Sequence, residues 1–189
     1  KYISYNRLNW RILHFGWVMS ALHKSFGSFE IKSVDEEKRT FTGTASTPNQ
    51  DRSKDIMVPK GAKFKLPMPL LFHNDMRSPI GHVTSAKVTD KGIEVEIHIP
   101  EIKEEGKLKD RVDEAYQSLK YDLVKGLSVG FLPNWDTAEM IKGGGIKFED
   151  WEWYELSLVT IPDNRDSGTD FKKAFEEHKA ALGKKPQTV

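Results

Sequence analysis

The chain has 189 residues, 38% of them apolar and 30% charged, with a formal net charge of +1 and no cysteine. That size supports one domain with a real core, and the balanced charge gives no electrostatic case for binding nucleic acid or an anionic membrane. Disulfides, thiolate metal sites and a cysteine nucleophile are excluded, and no apolar run approaches the ~18 residues of a membrane-spanning helix.

Residues 1–18, "KYISYNRLNWRILHFGWV", are basic and aromatic-rich and lack the small-residue cleavage site of a secretory signal. Two readings are open: translated upstream sequence ahead of a true start at Met19, or a short N-terminal element docked on the domain. Residues 1–23 are set apart as an extension.

The body of the chain reads mostly as strands. "FGSFEIKSV" and "RTFTGTAST" are β-prone runs on either side of the charged turn Asp35-Glu36-Glu37-Lys38. A polar loop follows at 48–63, punctuated by Pro, Gly and Asp. "FKLPMPLLFHND" then carries an apolar run into His73. "IGHVTSAKV" and "GIEVEIHIP" flank Thr89-Asp90-Lys91 with Gly92 behind them, a hairpin signal. In the second strand Ile93, Val95, Ile97 and Ile99 share one face, while Glu94, Glu96 and His98 share a wet one.

Over about 107–124 the period changes. Leu108, Val112, Ala115, Leu119 and Leu123 recur at three- and four-residue steps, the stripe of an amphipathic helix. A strand around Ser128, the Gly-rich loop "KGGGI" and the strand "KFEDWEWYELSLVTIP" come next. "GTDFKKAFEEHKAAL" predicts a closing helix over about 169–182, capped by Thr169 or Asp170. The fold expected is mainly β with flanking helices: an antiparallel sheet or barrel, one inserted helix and one terminal helix. The expected division is an extension to 23, a main domain over 24–165, and a helix with tail over 166–189.

"GLSVG", Gly126 to Gly130, spells the nucleophile-elbow pattern of serine hydrolases. The elbow, however, joins a parallel strand to a helix, and "FLPNWDTAE" does not open one. The only histidine after Ser128 is His178, in the terminal helix. As a strand instead, 126–132 turns Leu127, Val129 and Phe131 into a core and leaves Ser128 on the other face between two glycines. That hydroxyl stands clear for a close-approaching peptide; alternatively, the glycines mark a bulge or tight crossing.

In "DWEWYELSLVTIP", alternation puts Trp153, Glu155, Ser157, Val159 and Ile161 on one face and Tyr154, Leu156 and Leu158 on the other. Both faces are apolar, so this is a central strand with Glu155 inside it. A buried carboxylate costs several kcal/mol unless it is paired. A histidine would serve as partner, as would a lysine salt bridge or a wet strand edge. His73 lies at a strand end, where scaffolds often present catalytic groups.

"LFHND", "PIGHV", "GLSVGF" and "YELSLVTIPDN", in that order, resemble the prohead (capsid maturation) proteases of tailed phages, as does "DRSKDIMVPKGAKF". The likeness spans about residues 26–165, with Asp163 where that family often has Ala. The resemblance implies a serine endopeptidase with the fold of herpesvirus assemblins. It makes Ser128 the nucleophile, His73 the general base and Glu155 the group that orients the histidine, with Arg165 a candidate oxyanion donor. It implies no metal or cofactor. The substrates implied are the major capsid protein, the scaffold protein and the enzyme itself, inside the procapsid in the host cytoplasm. Self-association is a further expectation, with neither nucleic acid nor membrane as partner. The terminal helix is then a packaging or self-cleaved segment, or simply a docked helix. Two rivals remain: a non-catalytic assembly or scaffold protein of the same fold, and a metal hydrolase built from His73, Asp75, His82 and His98.

Overall fold

Alternating apolar and polar residues between short turns set the architecture. The computed structural model describes residues 23–28, 33–51, 54–124, 126–160 and 180. In chain order the strands are β1 (His23–Ser28), β2 (Ser33–Asp35), β3 (Thr40–Ser46), β4 (Ile56–Met57), β5 (Ala62–Lys63), β6 (Met68–Phe72), β7 (Asp75–Thr89) and β8 (Gly92–His98). Helix α1 (Lys107–Lys120) comes next, and then β9 (Gly126–Pro133), β10 (Ala138–Met140), β11 (Ile146–Phe148) and β12 (Trp151–Val159). Residues 1–18, Met19, Arg165 and nearly all of the expected terminal helix lie outside the described residues; Ala180 is helical.

Nine strands form one sheet in the order β1-β9-β12-β6-β7-β8-β3-β2, with β5 also beside β12. The sheet curls, so that β1 approaches β3. Most neighbours are antiparallel, as expected, but β12 runs parallel to both β5 and β6. The sequence between β6 and β12 supplies that long crossover. A second sheet, β10-β11-β4, escaped the sequence reading because its strands are only two or three residues long. Among the described residues, no helix is long and apolar enough to cross a membrane.

The β7–β8 hairpin turns where expected, with Gly92 at φ 145°. Ile93, Val95, Ile97 and Ile99 are buried there as the alternation requires. Helix α1 buries Val112, Ala115 and Leu119, whereas Leu108 and Leu123 are exposed. The expected stripe is therefore too long: the helix stops at Lys120, and Asp122 takes a positive φ. Asp110 in the first turn and Lys120 in the last complement the helix dipole. Asp113 anchors the helix to Arg39, 3.2 Å away, whose guanidinium also lies 3.9 Å from the centre of the Tyr116 ring.

One face of the central strands belongs to the main core. Leu127, Val129 and Phe131 of β9 meet Trp153, Leu156 and Leu158 of β12, with Phe148 and Trp151 packed edge-on against Phe131. The opposite face carries Ser128, Glu155 and Ser157.

Candidate active site

Strands β9 and β12 pair antiparallel with Ser128 opposite Ser157 and Gly130 opposite Glu155. Cross-strand partners share a face, so Ser128, Gly130, Glu155 and Ser157 stand together on one side of the sheet. No helix opens after Ser128, which runs on within β9 to Pro133. The elbow motif is thus a strand pattern, and Ser128 and Glu155 occupy neighbouring strands.

A β-bulge makes this grouping. The register shifts between Trp153 and Glu155, leaving Tyr154 outside the ladder. Strict alternation would put Trp153 on the side of Glu155, but Trp153 pairs with Phe131 on the core face, so that expectation is corrected. A bulge inserts one residue and switches the facing of the residues beyond it. Here it keeps both tryptophans in the core while delivering Glu155 to the serine side. The Trp153 indole N–H donates to the Glu155 carbonyl at 2.7 Å, pinning the bulge.

The polar face is closed to solvent. Ser128 and Ser157 are fully buried, and Glu155 is 2% exposed. The Ser157 hydroxyl donates to Glu155 Oε2 at 2.6 Å, a length typical of charge-assisted bonds. The carboxylate lies over Gly130 so closely that a methyl group there would overlap it. The second glycine of the motif therefore makes room for Glu155. Ser128 Oγ has no hydrogen-bond partner, a costly state for a buried hydroxyl.

His73 sits with Asn74 in a two-residue turn joining β6 to β7, with φ 53° and 59°. Positive φ at both positions is the type I′ geometry of tight hairpins. The His73 N–H donates to Leu158 O at 2.9 Å, which ties the turn to β12. Its ring is exposed and packs on Phe72 with centroids 4.0 Å apart. On a flat lattice, two strand spacings and two residue rises separate the His73 and Ser128 α-carbons by roughly 12 Å. The structure does not bring the imidazole into hydrogen-bond contact with Ser128.

His82 and His98 face each other across β7 and β8, three and four strands from β9. The Asp75 carboxylate is engaged by the Arg77 N–H at 2.9 Å, the Arg77 side chain and Ser78 Oγ, which hold it below the usual carboxylate range. Among the described residues no three His, Asp or Glu side chains gather as metal ligands, so His73, Asp75, His82 and His98 do not form a centre. A cavity of about 440 Å³ is lined by Arg39, His98 and Glu101 and includes none of Ser128, His73 and Glu155.

Sequence reasoning put Ser157 beside Glu155 but gave it no role. The signal was a hydroxyl two residues from a carboxylate, on the same face of an otherwise apolar strand.

Comparison with known proteins gives the family of the chain. The caudovirus prohead serine protease family matches over residues 27–181. A capsid polyprotein of Pseudomonas phage PAJU2 is 51% identical over 169 residues, covering 88% of this chain; the match spans only 25% of the polyprotein. The prohead protease of Escherichia phage T5 is 29% identical over 163 residues, covering 78% of this chain and 71% of that protein. The capsid assembly protease of bacteriophage T4, gp21, shares the fold, with a TM-score of 0.51 and 9% identity over 73% of this chain and 96% of that one. On the match over residues 27–181, the chain belongs to the caudovirus prohead serine protease family.

Proposed function

We propose that this chain is a serine endopeptidase of capsid maturation in which Ser128 is the nucleophile, His73 the general base and Glu155 the orienting carboxylate. The observation that carries this reading is the buried, uncommitted Ser128 hydroxyl beside the buried Glu155 carboxylate. Both groups are expensive to bury, and neither is needed to hold the core, which lies on the opposite face.

Ser128 Oγ attacks the scissile carbonyl carbon while His73 takes its proton, giving a tetrahedral oxyanion. The imidazolium returns that proton to the leaving amine as the C–N bond breaks, and an acyl-enzyme forms. Water, deprotonated by the same imidazole, then releases the new carboxylate. Glu155 stabilises the imidazolium and fixes its tautomer. Catalysis requires the β6–β7 turn to bring His73 to Ser128, and catalytic hydrogen bonds often tighten only with substrate bound. It also requires the closed polar face to open to the peptide.

The substrate proposed is capsid protein or scaffold inside the procapsid, together with the enzyme itself. The Pseudomonas phage relative supports capsid protein, since the matched region is one quarter of a chain named for the capsid. The direct experiment is incubation with the major capsid protein of the same phage. Wild type and His98→Ala should cleave it at one set of junctions, and Ser128→Ala and His73→Ala should not. Folded wild type that cleaves nothing would favour the non-catalytic assembly reading.

A further inference from the structure

We propose that Ser157 is a positioning residue for proteolysis: it clamps one carboxylate oxygen of Glu155 and so sets the group over Gly130, beside the nucleophile. The inference rests on the proposed protease function, in which Ser128 and Glu155 act together.

Four observations converge. Ser157 is fully buried on a face it shares with the equally buried Leu71 and Val159, where a hydroxyl is costly unless bonded. Its bond to Glu155 Oε2 is short. It is the cross-strand partner of Ser128, which puts the two β-carbons about 4.5–5.5 Å apart. Gly130, next along β9 on this face, leaves the space that the carboxylate fills.

The hydrogen-bond inventory of a hydroxyl gives the arrangement a direction. Ser157 has one proton, and it goes to Glu155. Only lone pairs then remain to face the Ser128 row. Ser157 thus cannot donate to the nucleophile and blunt it. It holds the carboxylate in place over Gly130 and leaves the Ser128 hydroxyl uncommitted. A residue serving only to fill this space would need no hydroxyl.

Gly126, Ser128 and Gly130 of β9, Ser157 of β12 and Leu71 of β6 add no titratable group. Exposed Glu152 stands in register with Lys63 of β5, whose Nζ lies 3.6 Å from Asp150, and β1 sets Lys24 in register with Gly130.

The test uses a peptide spanning the junction mapped in the capsid-protein digest. Ser157→Ala should lower kcat about 10–100-fold with KM nearly unchanged. Ser157→Thr, which keeps the hydroxyl, should recover most of kcat. Ser157→Cys, close in size but a weak donor, should behave like Ser157→Ala and carries the test if the alanine variant does not fold. Wild-type kcat in Ser157→Ala or Ser157→Cys would overturn the proposal. So would a loss that tracks only the unfolded fraction, with Ser157→Thr no better. Ser128→Ala separates the two levels: if it still cleaves, the protease reading itself fails. If it is dead while Ser157 variants are normal, only this inference fails.

Discussion

Asp55 and Glu155 are both carboxylates shut away from water, 4% and 2% exposed, and they are held in different ways. Asp55 ends the polar loop before β4, and its Oδ1 accepts the Ile146 N–H at 2.7 Å. Its own N–H donates to Asp51 Oδ1 at 2.9 Å. These bonds sew the loop to the small sheet through backbone amides, a task any acceptor of that shape can perform. Burial, with the nearby Asp51 charge adding to it, pushes the Asp55 pKa up to about 6, against the opposing Ile146 bond. Glu155 is held by a side-chain hydroxyl and lies in the row next to an uncommitted serine. On the proposed reading, equal burial marks two roles: one carboxylate closes a loop, and the other serves the site.

The sharpest way to break this contrast is to neutralise each carboxylate in turn. Glu155→Gln keeps the shape and loses the charge, so turnover of the junction peptide should fall on the order of 10–10³-fold. Its melting temperature should stay within a few degrees of wild type, since the amide can still accept from Ser157. Asp55→Asn should leave turnover near normal. Similar activity losses in both would erase the distinction, and unfolding of Glu155→Gln alone would make Glu155 a structural anchor.

A subtler break uses the glycines that accommodate each region. A methyl at Gly130 overlaps the Glu155 carboxylate, so Gly130→Ala should lower turnover about tenfold and stability by about 1–3 kcal/mol. Gly145, at φ 91° and close to the Lys54 carbonyl, is its counterpart in the small sheet. Gly145→Ala should cost stability alone, read by denaturant unfolding beside the peptide assay.

The smallest expected effect is on the pH dependence of stability. The folded-state pKa of Asp55 lies above the usual carboxylate value, so the folded protein holds this proton more tightly than the unfolded chain. Its contribution is complete below about pH 4 and is lost as pH rises through about 6. Wild type should lose on the order of 2 kcal/mol across that window from this group, and Asp55→Asn should not. An identical pH profile in the two proteins would show that Asp55 does not titrate in this range.

Local pattern made much of this legible from the sequence. The β7–β8 hairpin followed from Gly92 and the Ile93–Ile99 alternation, and the middle of α1 followed from Val112, Ala115 and Leu119. The strand nature of 126–132 and the central place of 151–159 were also readable, because Leu127, Val129, Phe131, Leu156 and Leu158 are apolar at period two. The features that escaped depend on long-range pairing. The Tyr154 bulge was hidden because both faces of β12 look apolar, so nothing marked the slip that sends Trp153 to the core. The parallel β6–β12 pairing leaves no local trace. The type I′ turn at His73-Asn74 lacks the usual glycine, and the left-handed tolerance of His and Asn makes it possible. The role of Gly130 becomes visible only once Glu155 is seen to lie above it.

The central claim is that Ser128 is an activated nucleophile. It is tested most directly by treating the folded chain with a serine-directed phosphonofluoridate and mapping the adduct by mass spectrometry. The account predicts one adduct per chain, on Ser128, absent in Ser128→Ala and strongly slowed in His73→Ala. A folded, unlabelled Ser128, or an adduct confined to another residue, would contradict it.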